Sequence, residues 1–273
     1  MVPIFDPHVH MDTRNCTDYE LFALAGVVRV LVPCSATRER KFCRRGYAER
    51  FDKLIDFERV RAASFGLRCE VALAVSGADI GDHDSACEGV EEVERRLDRE
   101  GVVAVGELSL RAFTPQEVDV FERQLRLAER RGVPVLVESP PGWDDFARML
   151  ALLESALERG CASPHRVCLL DLNRDKLRAA RHLGLGGHGI PVSPRFDGPF
   201  ALREKLEPCE VLRLVDEFGE EGILLNSGLH AGFADPLCLP RTVLRLELEA
   251  LDPATLRALA LENAERFFDG RAA

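Results

Sequence analysis

The sequence predicts a (β/α)8 barrel, a single domain over residues 1–273, on three observations. Short apolar runs alternate with longer segments of helical period, and eight such units fill the chain. Runs such as VVAVGEL (102–108) and VPVLVE (133–138) are apolar on both faces, as strands must be when helices cover both sides of a parallel sheet. The chain also lacks internal repeats, low-complexity stretches and linkers. An open doubly wound sheet is the alternative, weakened because its G-x-G-x-x-G phosphate fingerprint is missing from the first turn.

IFDPHVH (4–10) forms the first strand, with a helix expected around 17–25. VVRVLVP (27–33) precedes a charged helical segment at 44–58. LRCEVALAV (67–75) leads through a polar loop to the helix EGVEEVERRLDRE (88–100). After VVAVGEL, Thr114 caps a helix with Pro115 at its first position and Glu117 in its first turn. VPVLVE is followed by a helix at 144–159, and RVCLLD (166–171) by one at 173–183. GHGIPVS (187–193), the least strand-like run, precedes a helix around 207–218. GILLN (222–226) precedes a helix from about 240, and TLRALALENAERFF (255–268) closes the chain.

Composition narrows the function. A formal charge of −10 argues against non-specific nucleic-acid binding, which needs clustered cations facing phosphates. The basic cluster RERKFCRR (38–45) is either an anion site above the barrel or a solvated helix or loop. Nine cysteines, an odd number without a C-x-x-C pair, read as buried thiols in a reducing compartment. The first residues carry no basic segment before an apolar one, and no apolar run approaches the roughly 18 residues of a membrane span. A cytoplasmic protein with a small-molecule substrate is therefore expected.

Barrel enzymes carry their chemistry at the C-terminal ends of strands. Those ends offer His8 and His10, Glu107, Glu138, Asp171 with Leu172, and Asn226. In DPHVH, residues i and i+2 of a strand share a face, so His8 and His10 are placed to share one metal, unless they are satisfied core histidines. A carboxylate buried at Glu107 needs a metal or a cation such as Arg111, because an isolated charge there is too costly. His230, four residues past Asn226, is a candidate base or ligand from a loop, or an exposed loop histidine. Asp12 and Arg14 either bind substrate or order the first loop. Asp235 suits a helix cap, and Cys34 at the end of the second strand lacks a visible activating partner.

These stretches resemble the TatD-like metal-dependent hydrolases of the amidohydrolase superfamily, and among them the branch associated with Ebo gene clusters. The resemblance rests on DPHVHMDTR (6–14), DYELFALAGV (18–27), FERVRAASFGL (57–67), GVVAVGELSL (101–110) and FERQLRLAERRGVPVLVESP (121–140), and it continues in GFADPLCLPRTV (232–243) and LENAERFF (261–268). It implies a two-metal site. One metal is held by an H-x-H pair, a bridging glutamate and a late aspartate that is also the general base. The other is held by the glutamate and two further histidines. His8, His10 and Glu107 match that pattern. Glu138 stands in place of one histidine, Leu172 in place of the other, and Asn226 in place of the aspartate.

The departures imply a remodelled, mononuclear site for one divalent ion (Zn, Mn or Fe) held by His8, His10, Glu107 and Glu138. Glu138 and His230 are then the catalytic candidates, and Asp12, Arg14 and Asn226 the substrate-binding ones. Two other readings of Glu138 stay open: a base that does not ligate, or a residue paired with an arginine in an abandoned site. The matching alternative for the whole chain is a pseudoenzyme that keeps the barrel as a binding or assembly module.

Overall fold

The computed structural model describes residues 2–34, 43–194, 205–231 and 234–270. Of the basic cluster at 38–45, residues 38–42 lie outside them. Eight parallel strands pair in chain order: β1 (Ile4–Asp6), β2 (Val27–Pro33), β3 (Arg68–Leu73), β4 (Val102–Leu108), β5 (Val135–Glu138), β6 (Val167–Leu170), β7 (Gly187–Pro191) and β8 (Ile223–Asn226). Sequential parallel pairing with a helical return after each strand is the (β/α)8 barrel, built as one domain.

The seam between β1 and β8 closes beyond the strand ends. There Val9 bridges Leu229, His10 N donates to Leu229 O at 2.9 Å, and Gly228 N donates to His8 O at 3.1 Å. The backbone that carries His8 and His10 is thus also the backbone that shuts the barrel.

The outer ring comprises α1 (Cys16–Leu24), α2 (Arg44–Asp52), α3 (Arg59–Ala63), α4 (His83–Arg96), α5 (Pro115–Arg131), α6 (Trp143–Glu158), α7 (Arg174–Ala180), α8 (Pro208–Phe218), α9 (Cys238–Leu248), α10 (Pro253–Arg257) and α11 (Asn263–Asp269). Thr114 caps α5 as expected, accepting from Glu117 N. The helix predicted at 88–100 begins earlier, because Asp82 caps at Ser85 N and starts α4 at His83. The predicted 44–58 helix is instead α2 followed by a π-helical turn, Lys53–Glu58.

Two apolar cores result. Phe5, Leu31, Ala72, Ala104, Leu136 and Leu224 point into the barrel, and Phe268 of α11 seals its floor against Phe5, with ring centroids 5.8 Å apart. The larger core lies between strands and helices. Strands buried on both faces explain why the apolar runs lacked alternation.

Candidate metal centre

His8 and His10 leave β1 at the barrel mouth with Val9 bridged between them, so both rings turn to one side. Their centroids are 5.3 Å apart. Glu107 reaches them from β4. The pairing with β5 slips by one residue between Val105 and Leu108, a bulge that re-aims the Glu107 side chain. Only glycine fits beside it, since a Cβ on Gly106 would lie 2.6 Å from Leu136 Cβ.

His8 Nε2 and His10 Nε2 each lie 3.2 Å from Glu107 Oε2. All three side chains are almost fully buried. Asp6, fully buried on β1, braces this corner: its Oδ1 accepts from His8 N at 3.3 Å and from Ser227 N at 3.1 Å. Burial pushes the Asp6 carboxyl up to about 6.

Glu107 also belongs to a second group. One carboxylate oxygen from each of Glu107, Glu138 and Asp171 lies within 4.8 Å of the others. Arg111 closes the far side of this trio, its Nη2 donating to Glu138 at 2.9 and 3.2 Å. The cation considered for Glu107 therefore pairs with Glu138. Asp171 Oδ1 lies 3.9 Å from His8 Nδ1 and sits just past β6 with φ +57°, a left-handed conformation that turns its side chain.

Asp171, named in the sequence among the strand-end residues, was given no role there. The available signal was its position as the first carboxylate after the LL of strand six. Leu172, one residue on, is buried in the apolar core.

His230 stacks on His10, with centroids 4.0 Å apart and planes at 26°, and stands edge-on to His8 at 6.3 Å. It belongs to the histidine cluster and is not a stray loop residue. Arg14 holds the loop that carries it: Nη1 donates to His230 O at 3.1 Å, while Nε donates to Asp18 Oδ2 at 2.8 Å. Arg14 thus orders the mouth from outside it. Asp12 is half-buried on the first loop. Asn226 is fully buried, its Nδ2 donating to Leu224 O at 3.3 Å and its Oδ1 without a hydrogen-bond partner among the described residues. Cys34 is buried, and burial pushes its thiol up, against a reactive role. Asp235 Oδ1 accepts from Leu237 N at 2.9 Å just before α9, as a cap would.

The residues fit a divalent cation. Two imidazole nitrogens converge on one carboxylate oxygen in a buried pocket, a nitrogen–oxygen donor set suited to first-row metals. Three carboxylates gathered beside it make a cation more favourable still.

No family model matches the chain. An uncharacterized metal-dependent hydrolase of Methanocaldococcus jannaschii is 25% identical over 268 residues, covering 97% of this chain and 99% of the relative. The solved TatD-like protein of Archaeoglobus fulgidus superposes with a TM-score of 0.74 at 21% identity, over 97% of this chain and 99% of that one. The chain has the fold of that TatD-like protein. A phosphotriesterase homology protein of Escherichia coli, solved with phosphate in its active site, shares the TatD-like barrel with a TM-score of 0.69 at 15% identity, over 98% of each chain.

Proposed function

We propose that this TatD-like chain is a metal-dependent hydrolase of a small metabolite, with one divalent metal held at the barrel mouth by His8, His10 and Glu107. The observation that carries this is the convergence of the two Nε2 atoms on Glu107 Oε2 inside a buried pocket. A divalent metal bound there supplies a Lewis acid and water that is acidic enough to ionise near neutral pH.

The chain's own groups do the rest. Both oxygens of Glu138 face Arg111 Nη2, so Glu138 adds negative charge to the site while its carboxylate is held in one orientation. Asp171 Oδ1, at the edge of the histidine cluster, is the group assigned to accept the proton from the attacking water. His230, half-buried and stacked on His10, forms the wall on which substrate rests. Asn226 offers a neutral amide that cannot take that proton, which leaves the task to Asp171, two strands away after β6.

Metal analysis of the purified protein tests the assignment. Wild type should hold about one equivalent of Zn, Mn or Fe, and His10→Ala should retain less than about a tenth of it after dialysis. Wild type emerging metal-free from supplemented medium would defeat the proposal. Asp171→Asn should keep its metal and lose about 10²- to 10⁴-fold in kcat once a substrate is found among esters, amides and phosphoesters. Loss of metal from that variant would instead make Asp171 a ligand.

A second reading is favoured by Leu172 in the core and by Arg111 across Glu138. In it, the barrel is kept as a binding module. That reading requires His8→Ala and His10→Ala, both folded, to leave the cellular role untouched.

A further inference from the structure

The floor of the barrel, opposite the metal centre, holds a cavity of about 440 Å³. Its walls are the loops leading into β5, β6, β7 and β8, together with α11. The cavity opens to solvent, and its volume falls in the range of small-molecule sites. Active sites of such barrels lie at the other end.

The lining is cationic. Arg166, Arg181, Arg266 and His165 face a single carboxylate, Glu221. Arg181 gives one N–H to Phe218 O at 2.8 Å, and Arg266 gives one to Asn263 Oδ1 at 3.2 Å. Among the described residues neither of these two arginines forms a salt bridge, and each guanidinium has five N–H groups to place. Arg166 stands 4.0 Å from Glu129.

At the inner wall is His188, the second residue of β7, only 3% exposed. Neither of its ring nitrogens has a hydrogen-bond partner among the described residues. Buried polar groups without partners are costly and uncommon, which sets this ring apart in the floor. Burial, then the nearby Arg181 charge, push the imidazole down to about 4. At neutral pH it is an uncharged ring with one donor and one acceptor nitrogen.

We propose that this floor cavity binds the phosphate group of a small phosphorylated metabolite, gripped by Arg181, Arg266 and Arg166, with the buried His188 ring packed behind them. Three guanidiniums, with Glu221 in the lining and Glu129 beside Arg166, leave an excess of positive charge that suits an anion, and their planar forks match phosphate oxygens. The site lies outside the reaction assigned to the mouth, so its ligand is a regulator or a stabiliser.

The test uses inorganic phosphate as the probe, titrated into the metal-loaded protein by calorimetry at low ionic strength. The expected result has several parts. Arg181→Ala and Arg266→Ala, both surface-exposed and folded by circular dichroism, each weaken binding about tenfold or more. His10→Ala, which disrupts the mouth, leaves this binding in place. The imidazole nitrogen resonances of His188, beside Arg181, shift on saturation.

Four outcomes overturn the proposal. One is absence of phosphate binding. A second is binding unchanged in both arginine variants and lost in His10→Ala, which would place the anion on the metal. A third is a His188 spectrum indifferent to phosphate. The last is succinate binding more tightly than phosphate, which would assign the cavity to carboxylates.

Discussion

Asp171 stands in a backbone region that non-glycine residues rarely occupy, and it does so among carboxylates. Left-handed backbone costs about 1 kcal/mol in such a residue, and like-charge crowding adds to that cost. Asp171→Gly should therefore raise the stability of chelator-treated protein by about 1 kcal/mol in urea unfolding. It should also shrink the gain in Tm on adding Zn, because ligand binding to the native state stabilises in proportion to affinity. A Gly variant less stable than wild type without metal would show that the conformation is not strained. At this scale His8, His10 and Glu107 were readable, because two histidines on one strand face and a carboxylate at a buried strand end point to a metal through local chemistry alone. Asp171 was not, because its role depends on a φ angle that turns it inward while its neighbour Leu172 enters the core.

Among elements, the loop from β4 to α5 matters most to the site. Glu117 in the first turn of α5 is buried and accepts from three backbone N–H groups: Arg111 at 3.1 Å, Ala112 at 3.0 Å and Phe113 at 2.7 Å. It fixes the segment from which Arg111 reaches Glu138. Glu117→Ala leaves those N–H groups without their acceptor and should cost about 3 kcal/mol in chemical denaturation. It should also loosen Arg111, which a crystal structure of the variant would reveal as a broken Arg111–Glu138 pair. An intact pair at unchanged stability would show that the loop holds itself.

Thr114, Pro115 and Glu117 marked this helix start in the sequence by their chemistry alone. The bond from Glu117 back to three earlier residues was invisible there, since nothing in a linear chain says the loop folds over its own helix. Element boundaries elsewhere moved by a few residues, as at α4, where a cap and not the apolar period sets the start.

For the molecule as a whole, pH dependence follows from two buried groups of opposite sign. His188 titrates near 4 in the folded protein and near 6.5 unfolded. The unfolded chain therefore binds more protons between those values, and stability falls as pH drops through that window, by about 3 kcal/mol in all. Asp6, raised to about 6 from 3.8, acts oppositely and loses its contribution as pH rises between those values. Comparing variants isolates one effect. His188→Leu should be relatively more stable than wild type at pH 4.5 than at pH 7.5 by about 2 kcal/mol in urea unfolding. A pH-independent difference would mean that His188 takes up its proton alike in the folded and unfolded chain.

The floor itself is tied by Arg29, buried on β2, which bonds to Glu70 at 2.8 Å and to Asp269 at the end of α11 at 2.6 Å. No helix among the described residues is long and apolar enough to cross a membrane.

The sequence by itself determined the barrel, because periodicity is a local signal repeated eight times, and it put forward His8, His10 and Glu107, which the fold brings together. Only the tertiary structure decided which carboxylates meet, that Arg111 takes Glu138 and leaves Glu107 to the histidines, and that His230 stacks on His10. Each of these contacts joins residues far apart in the chain, and the closure at Val9 and Leu229 brings the first and last strands together at one mouth. The same closure leaves a cationic cavity at the opposite floor, assembled from loops whose separate sequences give no sign of it.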